Sequence, residues 1–227
     1  SMHPEIITTD HLVREAIAAI ERAADTAIFE RGEFHIGLSG GRTPRPVYEA
    51  LAKRQDAWEG WVFSFGDERC VPPDHEQSNY RMAREALFDR APIPAGNILR
   101  IRGEDDPAQA AAAYEAALRA RSGNAPHYRH DILLLGMGDD GHTASLFPGT
   151  AALGETVAWV AANDVPQLAT TRITLTYPVI NAARHVIFLV DSKGKEEMLE
   201  KVFSGTHDFP CNRVRPAQGN LTWIVGV

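Results

Sequence analysis

The sequence predicts an α/β fold, a three-layer sandwich built on a mainly parallel, Rossmann-like sheet. Three observations predict it. Segments of strand character alternate with helical segments through nearly the whole chain. Residues 131–135, Asp-Ile-Leu-Leu-Leu, form an almost wholly apolar run that suits a strand covered on both faces. Several strands run straight into glycine-rich turns followed by helix signals. The 227 residues suffice for one domain with a sizeable core. No linker, repeat or low-complexity tract divides them, so residues 1–227 are read as a single domain. Ser1, ahead of Met2, is set aside as a remnant of cleavage.

Residues 10–31 form the first expected helix. Leu12, Val13, Ala16, Ile17, Ile20, Ala24 and Ile28 recur at three- and four-residue steps, with Asp10 to cap the start and Gly32 the end. Residues 34–38 read as a strand. Pro44 and Pro46 suit the first turn of a helix ending near Arg54. Residues 61–65 are the next strand, broken at Gly66. A helix is expected over 79–89 with Ser78 as its cap, and a strand near 98–101. Asp106 and Pro107 open an alanine-rich helix to about Arg121. After the 131–135 strand, further strands are expected at 157–161, 171–176, 185–190 and 221–225. Helices fit 178–183 and 193–203.

Composition narrows the function. Asp and Glu outnumber Lys and Arg by 30 to 23, a formal net charge of −7. That argues against a broad nucleic-acid or anionic-membrane surface and leaves room for a local basic pocket. Cys70 and Cys211 form no CxxC pair and no zinc-like spacing, so they read as two reduced thiols. No apolar run approaches the ~20 residues of a membrane helix. His3, Pro4 and Glu5 interrupt any signal-like start, and a cytoplasmic location is expected.

In open α/β sheets a ligand sits beyond the carboxyl ends of the strands. Residues with chemical potential follow four strands here, at 39–43, 66–69, 136–142 and 191–195, and one pocket is expected to gather them. Ser39-Gly40-Gly41-Arg42-Thr43 offers backbone N–H groups and hydroxyls ahead of a helix, which suits a phosphate as well as a plain turn. Gly37-Leu38-Ser39-Gly40-Gly41 also matches the G-x-S-x-G nucleophile elbow. That fold needs several strands and an oxyanion loop before the elbow, and mostly one helix precedes it here. Gly136-Met137-Gly138-Asp139-Asp140-Gly141 matches the dinucleotide fingerprint. Asp140 would crowd a pyrophosphate, and Pro148 and Gly149 stop the helix that should follow.

His142 is the most informative residue. An imidazole titrates near neutrality, so it suits a general base oriented by a nearby carboxylate, or a hydrogen-bonded structural histidine. Asp67, Asp139 and Asp140 all remain open as that carboxylate. Arg69 can hold an anion or oxyanion, with Asp67 pairing to it or binding a hydroxyl, or the cluster can be a surface salt bridge. Arg172 and Lys195 can neutralise a phosphate or lie as solvated cations. No HExxH and no metal-grade cluster occurs.

Together these segments resemble the 6-phosphogluconolactonase family. The matching strings are L-S-G-G-R-T-P at 38–44, F-G-D-E-R-C-V-P at 65–72 and S-N-Y-R-M-A-R-E at 78–85. L-L-G-M-G-D-D-G-H-T-A-S-L-F-P-G at 134–149, R-I-T-L-T at 172–176 and G-K-E-E-M-L at 194–199 complete the set. The resemblance implies a sugar-phosphate isomerase/deaminase-like fold and hydrolysis of 6-phospho-D-glucono-1,5-lactone in the oxidative pentose phosphate pathway, with no metal and no cofactor. The expected partner is a small-molecule phosphorylated sugar lactone, with no nucleic acid and no membrane, and the expected state is a monomer or weak homodimer. The expected catalytic residues are His142, Arg69, Asp67 and Asp140. The expected phosphate-binding residues are Ser39, Gly40, Gly41, Arg42, Thr43, Arg172 and Lys195. Arg42 and Cys211 depart from the family pattern. The alternatives are a glucosamine-6-phosphate deaminase or isomerase, an esterase using Ser39, and a non-catalytic sugar-phosphate sensor.

Overall fold

Apolar runs that need cover on both faces build the central sheet. In the computed structural model, which describes residues 3–55 and 57–227, six strands run parallel. They are β1 (Glu5–Thr9), β2 (Phe34–Leu38), β3 (Trp61–Phe65), β5 (Ile132–Leu135), β8 (His185–Asp191) and β9 (Asn220–Gly226), in the order β1-β9-β8-β5-β2-β3. Every residue of β3 and β5 is buried, as a strand sandwiched between layers requires. Ser1, read as a cleavage remnant, lies outside the described residues.

Helices cover the sheet. They are α1 (Leu12–Arg31), α2 (Arg45–Ala52), α3 (Asn79–Ala83), α4 (Pro107–Ala120), α5 (Tyr177–Ile180) and α6 (Glu196–Phe203). In α1 the buried residues Ala16, Ile20, Ala24 and Ala27 repeat at the spacing of one helical face, and the helix closes on Gly32. Asp10 does not cap it. The chain leaves β1 with Thr9 Oγ1 accepting from His11 N–H, the helix starts one residue later, and Asp10 turns to the His11 ring. Ser78 and Asp106 do cap their helices, accepting from Arg81 N and Gln109 N. After α3 the chain continues through one π-helical turn, Arg84–Phe88. No helix of the described residues is long and apolar enough to cross a membrane.

A second sheet stands apart from the first. It is antiparallel, ordered β4-β7-β6, from β4 (Asp67–Arg69), β6 (Val160–Val165) and β7 (Thr170–Leu175). The chain crosses between sheets at Gly66, whose N–H donates to Leu38 O in the large sheet while its carbonyl accepts from Leu175 N in the small one. Of residues 66–69, expected as a strand end, 67–69 therefore become a strand of their own.

Several expected boundaries moved, for identifiable reasons. Residues 98–101 form no strand: Ile98 makes one bridge to Phe63, and the chain then bends away as Arg100 grips Glu104 with two hydrogen bonds. The strand expected at 157–161 begins at Val160. Side-chain carboxylates occupy the amides ahead of it, Glu155 taking Val157 and Ala158 N–H and Glu115 taking Trp159 and Val160 N–H. The helix expected at 178–183 is the short α5, and the one expected from 193 starts at Glu196 after a turn through Gly194. Strand β1 gives no signal, because Glu-Ile-Ile-Thr-Thr does not alternate in polarity and a short edge strand buries little.

Candidate active site

From β2 the chain winds to β3 on one side, then returns to β5 on the other side of β2. That reversal makes the carboxyl ends of β2 and β5 a topological switch point, where a crevice opens between diverging loops. The loops leaving those strands are 39–43 and 136–147. Strand β8, beside β5, adds 191–195.

The first loop is held from below. Ser39 N–H donates to the Tyr48 hydroxyl at 2.8 Å, and that hydroxyl donates to Ser39 O at 2.7 Å. Burial pushes the Tyr48 phenol far above its ordinary range, so its proton stays in place for the second bond. Gly40 is glycine because a Cβ there would overlap the Asn79 amide. Ser39 Oγ is buried without a partner. Arg42 is exposed and Thr43 half-buried.

The second loop wraps around one carboxylate. Asp140 Oδ1 accepts from His142 N–H at 3.0 Å and faces His142 Nδ1 at 2.6 Å. Gly138 N–H donates to His142 O, closing the turn, and a Cβ on Gly138 would occupy the place of the imidazole. Burial alone would raise the Asp140 carboxyl, but the hydrogen bonds from His142 outweigh it and hold the group below the usual carboxylate range. An ionised carboxylate only accepts, so in the neutral form of the ring Nδ1 carries the proton and Nε2 offers its lone pair. The ring stacks on Phe147 at 4.1 Å between centroids. It remains 29% exposed, open to a small reactant. Ala144, two residues on, adopts a left-handed φ of 49°, a strained conformation for a side-chain-bearing residue in a functional loop. Beneath this loop Cys211 N–H donates to Gly141 O, and burial pushes the thiol up to about 12, leaving a neutral sulfur near Asp140.

Cations border the loops. Arg69 on β4 and Arg172 on β7 are register partners on adjacent antiparallel strands. No carboxylate of the described residues forms an ion pair with either. Arg69 donates to Gln77 O at 3.1 Å, and its Nε is buried without a partner. The Arg172 guanidinium lies 5.7 Å over the Phe147 ring, the same ring that carries His142. Burial, then the neighbouring Arg69, lower the Arg172 pKa from its ordinary value. Like charges paired across strands repel, and an anion between or beside them would relieve that repulsion. Lys195 Nζ donates to Met137 O and lies 3.7 Å from Asp139, which joins the 191–195 segment to the 136–142 loop.

The acids divide by role. Asp140 holds the imidazole, while the Asp139 side chain stands 90% exposed beside Lys195. Asp67 does not pair with Arg69. It is buried and accepts from the Ser145 hydroxyl at 2.6 Å and from Asn79 Nδ2 at 3.2 Å. Glu68 is structural, accepting from Arg69, Asn79 and Tyr80 N–H and from the Ser78 hydroxyl. Sequence reasoning missed Tyr48, Asn79 and Phe147, whose contacts are all tertiary. A shallow groove of about 520 Å³ lies elsewhere, between α4 and β6. Its walls are largely alanine, and its Glu115 and Arg119 are already engaged with the Trp159 segment.

Comparison with known proteins matches nearly the whole chain. The model of the family described as glucosamine-6-phosphate isomerases/6-phosphogluconolactonase covers residues 7–223. A 6-phosphogluconolactonase of Nostoc sp. is 43% identical over 94% of this chain and 90% of its own length. One from Synechocystis sp. is 41% identical over 97% and 93%. The crystal structure of 6-phosphogluconolactonase from Thermotoga maritima superposes with a TM-score of 0.89 at 32% identity, over 99% of this chain and 100% of that one. A monomeric glucosamine-6-phosphate deaminase shares the fold alone, with a TM-score of 0.79 at 19% identity. With a family model spanning nearly the whole chain and relatives above 40% identity along almost their full length, this chain belongs to the glucosamine-6-phosphate isomerase/6-phosphogluconolactonase family.

Proposed function

We propose that this chain hydrolyses 6-phospho-D-glucono-1,5-lactone to 6-phospho-D-gluconate, a step of the oxidative pentose phosphate pathway, with His142 as general base. One observation carries the reading: an imidazole whose Nδ1 is engaged by Asp140 lies at the switch point, on the aromatic ring that also carries an unpaired guanidinium. A lactone carbonyl is already reactive, so positioning, one base and one anion site suffice.

The substrate phosphate docks on residues 39–43, helped by Arg172 and Lys195. His142 Nε2 takes a proton from water as the water oxygen bonds to C1. Arg69 or a backbone N–H of the glycine turn holds the oxyanion. The bond from C1 to the ring oxygen then breaks, and the imidazolium returns its proton to that oxygen. Asp140 steadies the imidazolium while it lasts.

The test is a coupled or pH-stat assay on freshly made lactone, corrected for spontaneous opening. Wild type is expected to turn over the lactone. His142→Ala is expected to lower kcat by ~10²–10⁴-fold while 6-phosphogluconate still binds. Near-normal kcat in that variant defeats the assignment of the base, and ammonia release from glucosamine 6-phosphate in place of lactone hydrolysis defeats the activity.

A further inference from the structure

Three segments meet at the Asp67 side chain. Its Oδ2 accepts from Ser145 Oγ at 2.6 Å, and its Oδ1 accepts from Asn79 Nδ2 at 3.2 Å. The same Asn79 nitrogen donates to the Asp67 carbonyl. Ser145 stands three residues after His142 on the imidazole loop, where its N–H donates to Thr174 Oγ1 and its carbonyl accepts from Asn163. Asn79 opens α3, and its amide fills the space that a side chain on Gly40 would take. One carboxylate therefore reaches the imidazole loop through Ser145 and the phosphate loop through Asn79. Tyr48, Tyr114 and Arg172 complete the surroundings that feel its charge. A group that exchanges protons with substrate must reach it. Asp67 is 6% exposed, with both oxygens taken by donors from the protein.

We propose that Asp67 is a positioning residue rather than a proton-transfer group, with Ser145 setting the imidazole loop and Asn79 setting the phosphate loop. This inference rests on the lactonase reading above. A carboxyl group has two oxygens, each able to accept, so a single side chain can hold two loops in one register. The distance between base and phosphate anchor then depends on Asp67, and a displacement of about 1 Å between such groups costs ~10²-fold in rate.

The two arms have different kinetic signatures. Ser145→Ala is expected to lower kcat about tenfold while the Kd of 6-phosphogluconate, measured by calorimetry, stays within about twofold. Asn79→Ala is expected to raise KM and that Kd about five- to tenfold, with kcat within about threefold of wild type. Asp67→Asn is expected to do both and to leave the shape of the pH profile of kcat/KM unchanged. Loss of a limb of that profile in Asp67→Asn shows a proton-transfer role and overturns the proposal. So does an equal fall of kcat and affinity in both arm variants, since that is a general loosening of the fold. Should Asp67→Asn not fold, the two arm variants decide the matter, each first checked for a wild-type circular dichroism spectrum. A wild-type protein without lactone hydrolysis above the spontaneous rate defeats the lactonase reading instead, so the two failures are distinguishable.

Discussion

The two sheets of this molecule are stabilised in different ways. The six-stranded sheet is an apolar slab, with Ile132, Leu133, Leu134, Leu135, Ile187 and Phe188 fully buried. The three-stranded sheet carries Asp67, Glu68, Arg69, Asn163, Arg172 and Thr174 on its strands, four of them buried. Its β4–β7 pairing sets two guanidiniums opposite each other, with no carboxylate of the described residues in an ion pair with either. The large sheet provides rigidity and a switch point. The small sheet brings charge to the mouth of that switch point at some cost in stability. Repulsion left unrelieved beside the loops gives up stability where a ligand would restore it.

The largest expected effect tests the slab. Leu134→Ala removes a fully buried side chain from the middle of β5. It should cost about 2–5 kcal/mol of unfolding free energy in urea. Because Leu134 is none of the residues that form the site, kcat per folded molecule should stay within about twofold. A large loss of kcat at full folding would show that the slab and the site are not separable.

The opposite outcome is expected in the small sheet. Arg172→Met keeps an unbranched apolar stem, removes the guanidinium from the face of Phe147 and deletes one of the two facing charges. Affinity for 6-phosphogluconate should fall about 10- to 10²-fold, while Tm stays equal or rises as the Arg69 repulsion is relieved. A marked drop in Tm would mean that Arg172 is a structural cation, and the contrast between the sheets would collapse.

The same contrast explains what was legible in the chain. Strands 34–38 and 61–65 were readable to the residue, because their hydrophobic runs are bounded by glycine and must be buried somewhere. Residues 67–69 were readable as chemistry but not as a strand. Three polar residues carry no periodicity, and their pairing partner lies about a hundred positions away. His142 and Asp140 were visible as neighbours on a glycine turn. Which of three acids holds the imidazole was not, since that choice depends on how the turn folds back. Tyr48 and Asn79 gave no local signal: a tyrosine on a buried helix face reads as core until its hydroxyl is seen on Ser39.

The smallest expected effect concerns the turn itself. The Asp140 carboxyl is held below its ordinary pKa in the folded chain: burial acts to raise it, and the His142 hydrogen bonds overcome that. A depressed carboxyl contributes stability that is fully present above its unfolded value and is lost as pH falls through the folded one. The loss should therefore appear below about pH 4, where an unfolded aspartate begins to protonate. Asp140→Asn has no such proton to take up. Its Tm should lie below that of wild type at pH 6, and the two curves should converge as pH falls below about 4. The gap should be modest, because the side chain is partly open to solvent and screened. Parallel curves across that range would mean that the bond to His142 orients the ring without stabilising the fold. Convergence would show that the turn, unlike the Arg69–Arg172 pair, stabilises the fold before any substrate arrives.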